Sequence, residues 1–153
     1  MKKVELTKNQ VALVDDEDFK FINQWKWHLV AGQYAARREY PSRKYLYMHR
    51  VILNAPHGKE VDHRNGVGLD NRKQNLRLCN RSENNRNTTG KGKNKTSRFK
   101  GVDWSKNRVW RARIQLGAKQ LHIGSFHDER EAAEAYNEKA RIFYGEFAYL
   151  NPI

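Results

Sequence analysis

Three residues of the chain have the types and the spacing to hydrolyse a phosphodiester: Asp62, His63 and Asn84. Asp62 supplies an anionic oxygen and Asn84 a neutral amide oxygen, and both are hard ligands that suit Mg²⁺ or Mn²⁺. A neutral His63 has a pKa near the working pH, so it can take a proton from an attacking water. One divalent ion per chain would stabilise the transition state and the leaving 3′ oxygen.

Other interpretations of this set stay open. An adjacent aspartate and histidine are more often surface or hydrogen-bonding groups than catalytic ones. His63 could also be a zinc ligand, although Cys79 is the single cysteine and no second histidine lies at a ligand spacing. The pair therefore indicates catalysis only together with the segment that positions it.

That segment, residues 61–88, predicts a strand, a loop, a second strand and a helix. Two β-type runs, KEVDH and NLRLC, are separated by a polar loop rich in glycine and asparagine. Asn80, with Glu83 three residues on, can cap a helix of about two turns. Neighbours on a strand point to opposite sides, so Asp62 and His63 should do so. A helix laid across the hairpin would bring Asn84 opposite its start.

The ordered residues MHRVIL, VDHRNG and LDNRKQNLRLCNRSENNRN, over about residues 45–88, resemble the HNH (His-Me finger) endonucleases of the phage and intron homing type. The resemblance implies a ββα-metal nuclease fold. It also implies a metal ligand at Asp62 and a general base at His63. Asn75 would bond the loop backbone and hold the base in position, and Asn84 would complete the metal site.

Four residues near this motif are candidate phosphate contacts: His49, Arg72, Arg77 and Asn87. His49 matches a recurrent position of the family, where it is either structural or phosphate-binding. Asn87 lies one turn after Asn84 and could reach the same phosphate. The two arginines could equally be solvated charges. The residues before the motif predict short strands with turns over 11–30 and 33–40, and a helix or strand over 45–53.

The C-terminal part predicts a three-stranded antiparallel sheet, with strands near 99–104, 109–116 and 120–126. Residues 109–116 alternate strictly between two faces. One face carries Trp110, Ala112, Ile114 and Leu116, and the other carries Arg111, Arg113 and Gln115. In the next strand Leu121 and Ile123 point inward, whereas Gln120 and His122 point outward.

A helix follows this sheet and packs on its apolar face. Asp128, with Glu131 three residues on, forms a capping-box-like start, and Gly145 ends the helix. The apolar residues at helical spacing are Ala132, Ala133, Tyr136, Ala140 and Phe143.

Acidic and basic residues are distributed unequally between the predicted helix and the predicted sheet. Residues 128–146 hold six acids and three bases, whereas residues 104–122 hold five bases and no acid. The open face of the sheet is therefore the one suited to DNA, and a sheet can enter the major groove. The alternative is that Arg111 and Arg113 are ordinary solvated strand residues.

The runs FKGVDW, VWRARIQL and HIGSF and the helix after them, about residues 98–152, resemble the plant ethylene-response-factor (Apetala-type) DNA-binding domain. The resemblance implies that the sheet lies in the major groove. It places five residues on the DNA face: Lys100, Arg113, Gln115, Gln120 and His122. The family usually has arginine or tryptophan at several of the positions held here by Asp103, Ser105, Asn107 and His122, so its target sequence does not transfer.

The composition of the whole chain of 153 residues limits the classes of partner and compartment that fit it. Its 30 Lys+Arg against 17 Asp+Glu give a net charge of +13, which points to a polyanion such as nucleic acid. Residues 86–100 hold six bases and no acid and predict a solvated connection. No apolar run is long enough to span a membrane. The lone cysteine favours the reducing cytoplasm.

The sequence therefore predicts an α+β protein with a nuclease domain at 1–88 (core motif 45–88), a basic linker at 89–97 and a DNA-binding domain at 98–153. We expect a metal-dependent endonuclease that acts on double-stranded DNA as a monomer or weak homodimer. We expect no small-molecule cofactor and no membrane partner. The alternative is a non-catalytic DNA-binding regulator. RNA binding has less support, because the sequence identifies no exposed aromatic stacking platform.

Overall fold

The computed structural model describes residues 1–88 and 96–153 as a mixed α/β chain. The chain divides into two units, residues 1–81 and residues 82–153. Residues 89–95 of the predicted linker lie outside the described residues. None of the helices in the described part is long and apolar enough to cross a membrane.

The first unit is built from short antiparallel strand pairings. Strand β1 (Lys2–Glu5) pairs with β2 (Val11–Val14). Helix α1 (Asp16–Ile22) leads to a sheet of β3 (His28–Val30), β4 (Tyr34–Arg38) and β5 (Tyr45–Tyr47), with β4 in the middle. Helix α2 (Met48–Ile52) follows directly, and β6 (Glu60–His63) pairs with β7 (Leu76–Cys79).

The structure has a helix, α1, at Asp16–Ile22, where the sequence predicted only short strands with turns within residues 11–30. Its first turn carries three acids, Asp16, Glu17 and Asp18, which stabilise the positive end of the helix dipole. Ile22 at its last turn is fully buried, so this short helix, which lies between β2 and β3 in the chain, contributes an apolar residue to the core. Strands β2 and β3 agree with the short strands expected in this range. The segment 45–53, left open between helix and strand, contains β5 followed by α2.

A single apolar core supports the first unit. Its buried members are Val4, Leu6, Ala12, Val14, Ile22, Trp27, Ala35 and Met48. Trp27 satisfies its indole Nε1–H by donating to the carbonyl oxygen of Ile22 at 2.8 Å. The core thus joins the first strand pair, α1, the central sheet and α2.

In the second unit, β8 (Val102–Trp104), β9 (Trp110–Leu116) and β10 (Lys119–Phe126) form an antiparallel sheet with β9 in the centre. Ala112 and Ile114 are buried, as their alternation predicts. Leu121 was expected to point inward, but it is 41% exposed. Leu121 pairs in register with the buried Ile114 and so lies on the same face, but it belongs to the edge strand β10. A register shift between His122 and Gly124 then interrupts the pairing of β10 with β9, and such a bulge breaks the regular alternation of faces beyond it.

Helix α4 (Glu129–Tyr144) begins at its cap, Asp128, whose Oδ1 accepts from the backbone N–H groups of Arg130 and Glu131. Phe143 was expected on the packed face but is 41% exposed, and Tyr144 is buried instead. The four other helix residues expected on that face are buried: Ala132, Ala133, Tyr136 and Ala140. Two of them share a core with Phe99, Val102 and Ala112.

Gly101, just before β8, permits the backbone to approach helix α4 closely. Its φ is +75°, which favours glycine, and a Cβ atom there would lie 2.1 Å from the ring of Tyr136. The same Cβ would lie 2.6 Å from the carbonyl oxygen of Arg113. No side chain fits at this position without displacing the helix or the central strand.

Candidate active site

The β6–β7 hairpin positions the adjacent aspartate and histidine. Asp62 pairs in register with Arg77, and His63 pairs with Leu76. Both Asp62 and His63 are 5% exposed. Because neighbours on a strand occupy opposite faces, both faces of β6 are covered at this point.

Asp62 and Arg77 form a buried ion pair. The Nη2 atom of Arg77 lies 2.5 Å from Oδ2 of Asp62, and its Nε donates to the same oxygen at 2.8 Å. Each side chain is only 6% exposed. The interpretation of Arg77 as a solvated charge is therefore wrong, because its guanidinium is buried against the carboxylate.

His63 lies in a cluster of rings that come from β4, β5, α2 and β6. The ring of His49 meets it at a right angle, with centroids 5.1 Å apart, and the ring of Tyr34 lies 5.9 Å away. Tyr47 stacks on His49 at 5.4 Å. The side chain of Asn71 approaches from the loop, with its Oδ1 3.5 Å from Nε2 of His63. These contacts fix both the position and the tilt of the His63 ring.

Burial keeps both imidazoles neutral. It lowers the pKa of His63 below its usual value, against smaller opposing effects from Asn71, Asp62 and Asp70. Burial, together with the neighbouring His63, lowers the pKa of His49 to about 3. Both rings are therefore uncharged at neutral pH, which is the state a general base needs.

The contact with Asn71 also favours one tautomer of His63. A side-chain amide oxygen can only accept a hydrogen bond, so Oδ1 of Asn71 pairs with an Nε2 that carries the proton. In that tautomer Nδ1 is the basic nitrogen of His63. Backbone bonds to strand β2 place Asn71: its N–H donates to the carbonyl oxygen of Leu13 at 2.8 Å, and Leu13 N–H donates to Leu69 at 2.8 Å.

Asn75 ties the loop that joins the two strands. Its Oδ1 accepts from the backbone N–H of Asn65 at 3.0 Å, and its Nδ2 donates to the backbone oxygen of Asp70 at 2.7 Å. The carboxylate of Asp70 accepts from Nε and Nη2 of Arg72, at 2.7 and 2.6 Å. This arginine holds the pKa of Asp70 below its usual value. Arg72, a candidate phosphate contact, is thus half-exposed and bound to Asp70.

His49, the other candidate in the first unit, is 8% exposed. Its Nδ1 has no hydrogen-bond partner among the residues that the structure describes. Asn84 and Asn87 belong to the second unit, Asn84 on helix α3 (Arg81–Arg86) and Asn87 just after it, and both are half-buried. The pairing of Asp62 with Asn84 stays a prediction.

The predicted DNA-facing residues of the second unit are partly bound to one another. Arg111 and Arg113 both pair with Asp103, and Arg113 also donates to the amide oxygen of Gln120 at 2.8 Å. Asp103 lies just outside the acid-free window 104–122, so the sheet face is less basic than expected. Gln115, Gln120 and His122 are exposed on the sheet. Lys100 precedes β8, and its ammonium group donates to the backbone oxygen of Arg86.

Sequence reasoning missed two residues that contact His63. Asn71 belongs to the asparagine-rich loop, and its place directly after Asp70 was the available signal. Tyr34 gave no signal, because it lies 29 positions before His63 in sequence. Within residues 1–88 and 96–153, no group of three or more His, Cys, Asp or Glu side chains is placed to hold a metal ion.

Comparisons with known proteins match the segment that contains this hairpin. A family model described as HNH endonuclease matches residues 46–86. An uncharacterized HNH endonuclease, L560, of Acanthamoeba polyphaga mimivirus is 26% identical over 149 residues, which cover 95% of this chain and 77% of the viral protein. No solved structure matches the chain.

A second relative is more similar over a shorter stretch. Protein 3.8 of Escherichia phage T7 is 35% identical over 94 residues, which cover 61% of this chain and 76% of the phage protein. Residues 46–86 of the chain therefore match the HNH endonuclease family, and the chain belongs to the protein family that includes protein 3.8 of Escherichia phage T7.

Proposed function

We propose that this chain is a metal-dependent DNA endonuclease of the homing type, with His63 as the general base. The observation that carries the proposal is the buried, uncharged ring of His63, held between Tyr34, His49 and Asn71 and adjacent in sequence to the carboxylate of Asp62. A neutral imidazole held at a fixed angle can take a proton from a water aligned with a phosphorus atom. The match to the HNH family supports this assignment.

His49 and Asn75 act in this proposal as positioning residues. His49 keeps the ring of His63 at its angle, because it is itself stacked on Tyr47. Asn75 closes the loop at Asn65 and Asp70 and so keeps Asn71 near His63. Neither residue needs to exchange a proton with the substrate.

A divalent cation fits the donor chemistry of Asp62. Its buried carboxylate already stabilises a positive charge, that of Arg77, and a hard oxygen donor is what Mg²⁺ or Mn²⁺ prefers. Asp62 and Asn84 are the proposed ligands, and two protein ligands leave room for water and a phosphate oxygen. When bound, the ion would supply positive charge for the scissile phosphate and the leaving 3′ oxygen. The products would be a 3′-hydroxyl and a 5′-phosphate.

The proposal assigns the choice of DNA site to the sheet of the second unit. The exposed groups of β9 and β10 include Gln115, Gln120 and His122, which can donate to or accept from base edges in the major groove. Arg113 is pre-positioned by Asp103 and Gln120, which limits the entropy that it loses on contacting DNA. This role is the one that the resemblance of the sequence runs in residues 98–152 to Apetala-type domains implies.

The decisive experiment is the nicking of supercoiled plasmid DNA with Mg²⁺ or Mn²⁺ and, in parallel, with EDTA. One active site per chain should give the nicked circle first, and linear DNA only through a second event. We expect nicking with either ion and none with EDTA. Product ends that cannot be extended by a polymerase, which requires a 3′-hydroxyl, would contradict the assigned chemistry.

A non-catalytic DNA-binding protein is the second candidate function. The observation that favours it is the Asp62–Arg77 ion pair, in which a guanidinium already occupies the carboxylate oxygen Oδ2. If the wild-type chain binds DNA but never nicks it with either ion, this second candidate is correct.

Replacing Arg113 with alanine should relax the choice of DNA site and leave generic nicking largely intact. Removing this one interaction with a base is expected to cost about 1–3 kcal/mol of discrimination. The matched control is Arg141→Ala, which removes an exposed arginine from helix α4. Cleavage mapping on a mixed-sequence substrate measures both, and an unchanged map for Arg113→Ala would contradict the role of the sheet.

A further inference from the structure

A groove lies beside the sheet of the first unit, apart from the ring cluster around His63. Its volume is about 460 Å³. Six of its lining residues are basic or aromatic: Trp25, Lys26, His28, Arg37, Arg38 and Tyr45. Among the described residues that line it, none is acidic. A groove with three permanent positive charges and no carboxylate is complementary to an anion.

Arg37 lines this groove and packs against two tryptophan rings. Its guanidinium carbon lies 4.7 Å from the ring centroid of Trp25 and 5.9 Å from that of Trp27. Its Nε is buried and has no hydrogen-bond partner among the residues that the structure describes. A buried N–H group without an acceptor is destabilising, and within the described part of the chain no intramolecular hydrogen bond at Nε competes with a ligand for this guanidinium.

The neighbouring Arg38 is also held in place by an aromatic ring. Its guanidinium lies 4.9 Å from the ring centroid of Tyr45, and its Nη2 lies 3.3 Å from the hydroxyl oxygen of the same tyrosine. Stacking fixes the plane of a guanidinium and leaves its N–H edges able to pair with oxygen. Two arginines on consecutive positions of β4 are therefore pre-organised before any ligand arrives.

The chemistry of the groove favours phosphate over an unstacked base. The ring of Trp25 already contacts Arg37, and the rings of Phe21 and Trp27 pack edge-on against the Trp25 ring. Tyr45 already contacts Arg38. The groove thus presents N–H donors rather than open ring faces, and planar forks of N–H donors match phosphate oxygens.

We propose that this arginine–tryptophan groove binds backbone phosphates of duplex DNA away from the phosphate that is cleaved. The proposal rests on the proposed function in one respect, because it takes DNA as the substrate. It adds a second DNA-binding surface to the nuclease unit, formed by Arg37, Arg38 and Lys26. Bonds to phosphates carry no sequence information, but they fix the position of the duplex.

The test is equilibrium binding of a fluorescein-labelled 30-base-pair duplex, measured by anisotropy in EDTA over a range of KCl concentrations. For Arg37→Ala we expect Kd to rise about 5–20-fold at low salt. The slope of log Kd against log salt should fall by about 0.9 for each phosphate that the variant no longer neutralises. Arg38→Ala should also raise Kd and lower the slope. Because Arg38 is exposed, this variant should fold, and it provides the test if Arg37→Ala does not.

The matched control is Lys3→Ala, which removes an exposed charge from β1 outside the groove, and its slope should equal that of the wild type. Equal slopes for the wild type and for folded Arg37→Ala and Arg38→Ala would overturn the proposal. Because EDTA excludes cleavage, the result is independent of the nuclease assignment. A chain that never nicks but shows the altered slopes would support the groove without the nuclease, and a nicking chain with unaltered slopes would refute the groove alone.

Discussion

Replacing His63 with alanine is expected to slow DNA cleavage by at least about 100-fold while leaving the Kd for DNA within about twofold. The physical reason is that the uncharged ring would be the group that accepts the proton of the attacking water, whereas binding depends on basic residues elsewhere. The measurement is single-turnover nicking of supercoiled plasmid with saturating Mg²⁺.

The matched control for this variant is His57→Ala, which removes an exposed histidine of the same unit and should cleave like the wild type. Circular dichroism establishes that both variants are folded. A folded His63→Ala protein that nicks at the wild-type rate would remove His63 from the mechanism. Cleavage restored by adding free imidazole to His63→Ala would support its role as a base.

Arg77→Ala is expected to lower the free energy of unfolding by about 3–5 kcal/mol, because it leaves the carboxylate of Asp62 buried without its cation. Both side chains of the pair are almost completely buried, so the carboxylate is shielded from bulk solvent. Urea denaturation measures the change. A double variant, Asp62→Leu with Arg77→Met, should recover much of the stability, since it removes both charges and keeps apolar volume.

The matched control is Lys73→Ala, which removes an exposed ammonium group from its pairs with Glu17 and Asp18 in the same unit. Its unfolding midpoint should stay close to that of the wild type, because exposed ion pairs are screened by solvent. Equal midpoints for Arg77→Ala and Lys73→Ala would show that the buried pair adds no stability. The comparison shows whether the buried pair contributes more to stability than an exposed pair does.

The sequence predicted the central strand of the second unit well, because Ala112 and Ile114 alternate with arginines over an uninterrupted stretch. One strand later it assigned Leu121 to the inner face, which agrees with the pairing of Leu121 with the buried Ile114. It could not predict that Leu121 stays 41% exposed, because residue types do not show that β10 is an edge strand. It also placed Phe143 on the packed face, where Tyr144 is buried instead. Apolarity alone cannot decide between two adjacent aromatic residues at the end of a helix.

The sequence located the candidate site through Asp62 and His63, since local spacing carries that signal. It could not predict that Arg77 binds Asp62, because that ion pair depends on strand register rather than on spacing along the chain. Tyr34 and Asn71 were missed for a similar reason. Each reaches His63 through elements that a single sequence does not show to be neighbours, and strand β2 fixes Asn71 from more than fifty positions away.

The rings around His63 come from three separate elements, β4, β5 and α2, and the backbone of β2 holds the loop beside them. Residues 46–86, the stretch recognised as an HNH domain, contain only part of this scaffold. A fragment of residues 46–86, alone or grafted onto another protein, would contain the motif residues. It would lack Tyr34, which contacts His63, and Leu13, whose backbone holds Asn71. The smallest transplantable piece of this enzyme-like unit therefore begins before its motif, at the N-terminal strand pair.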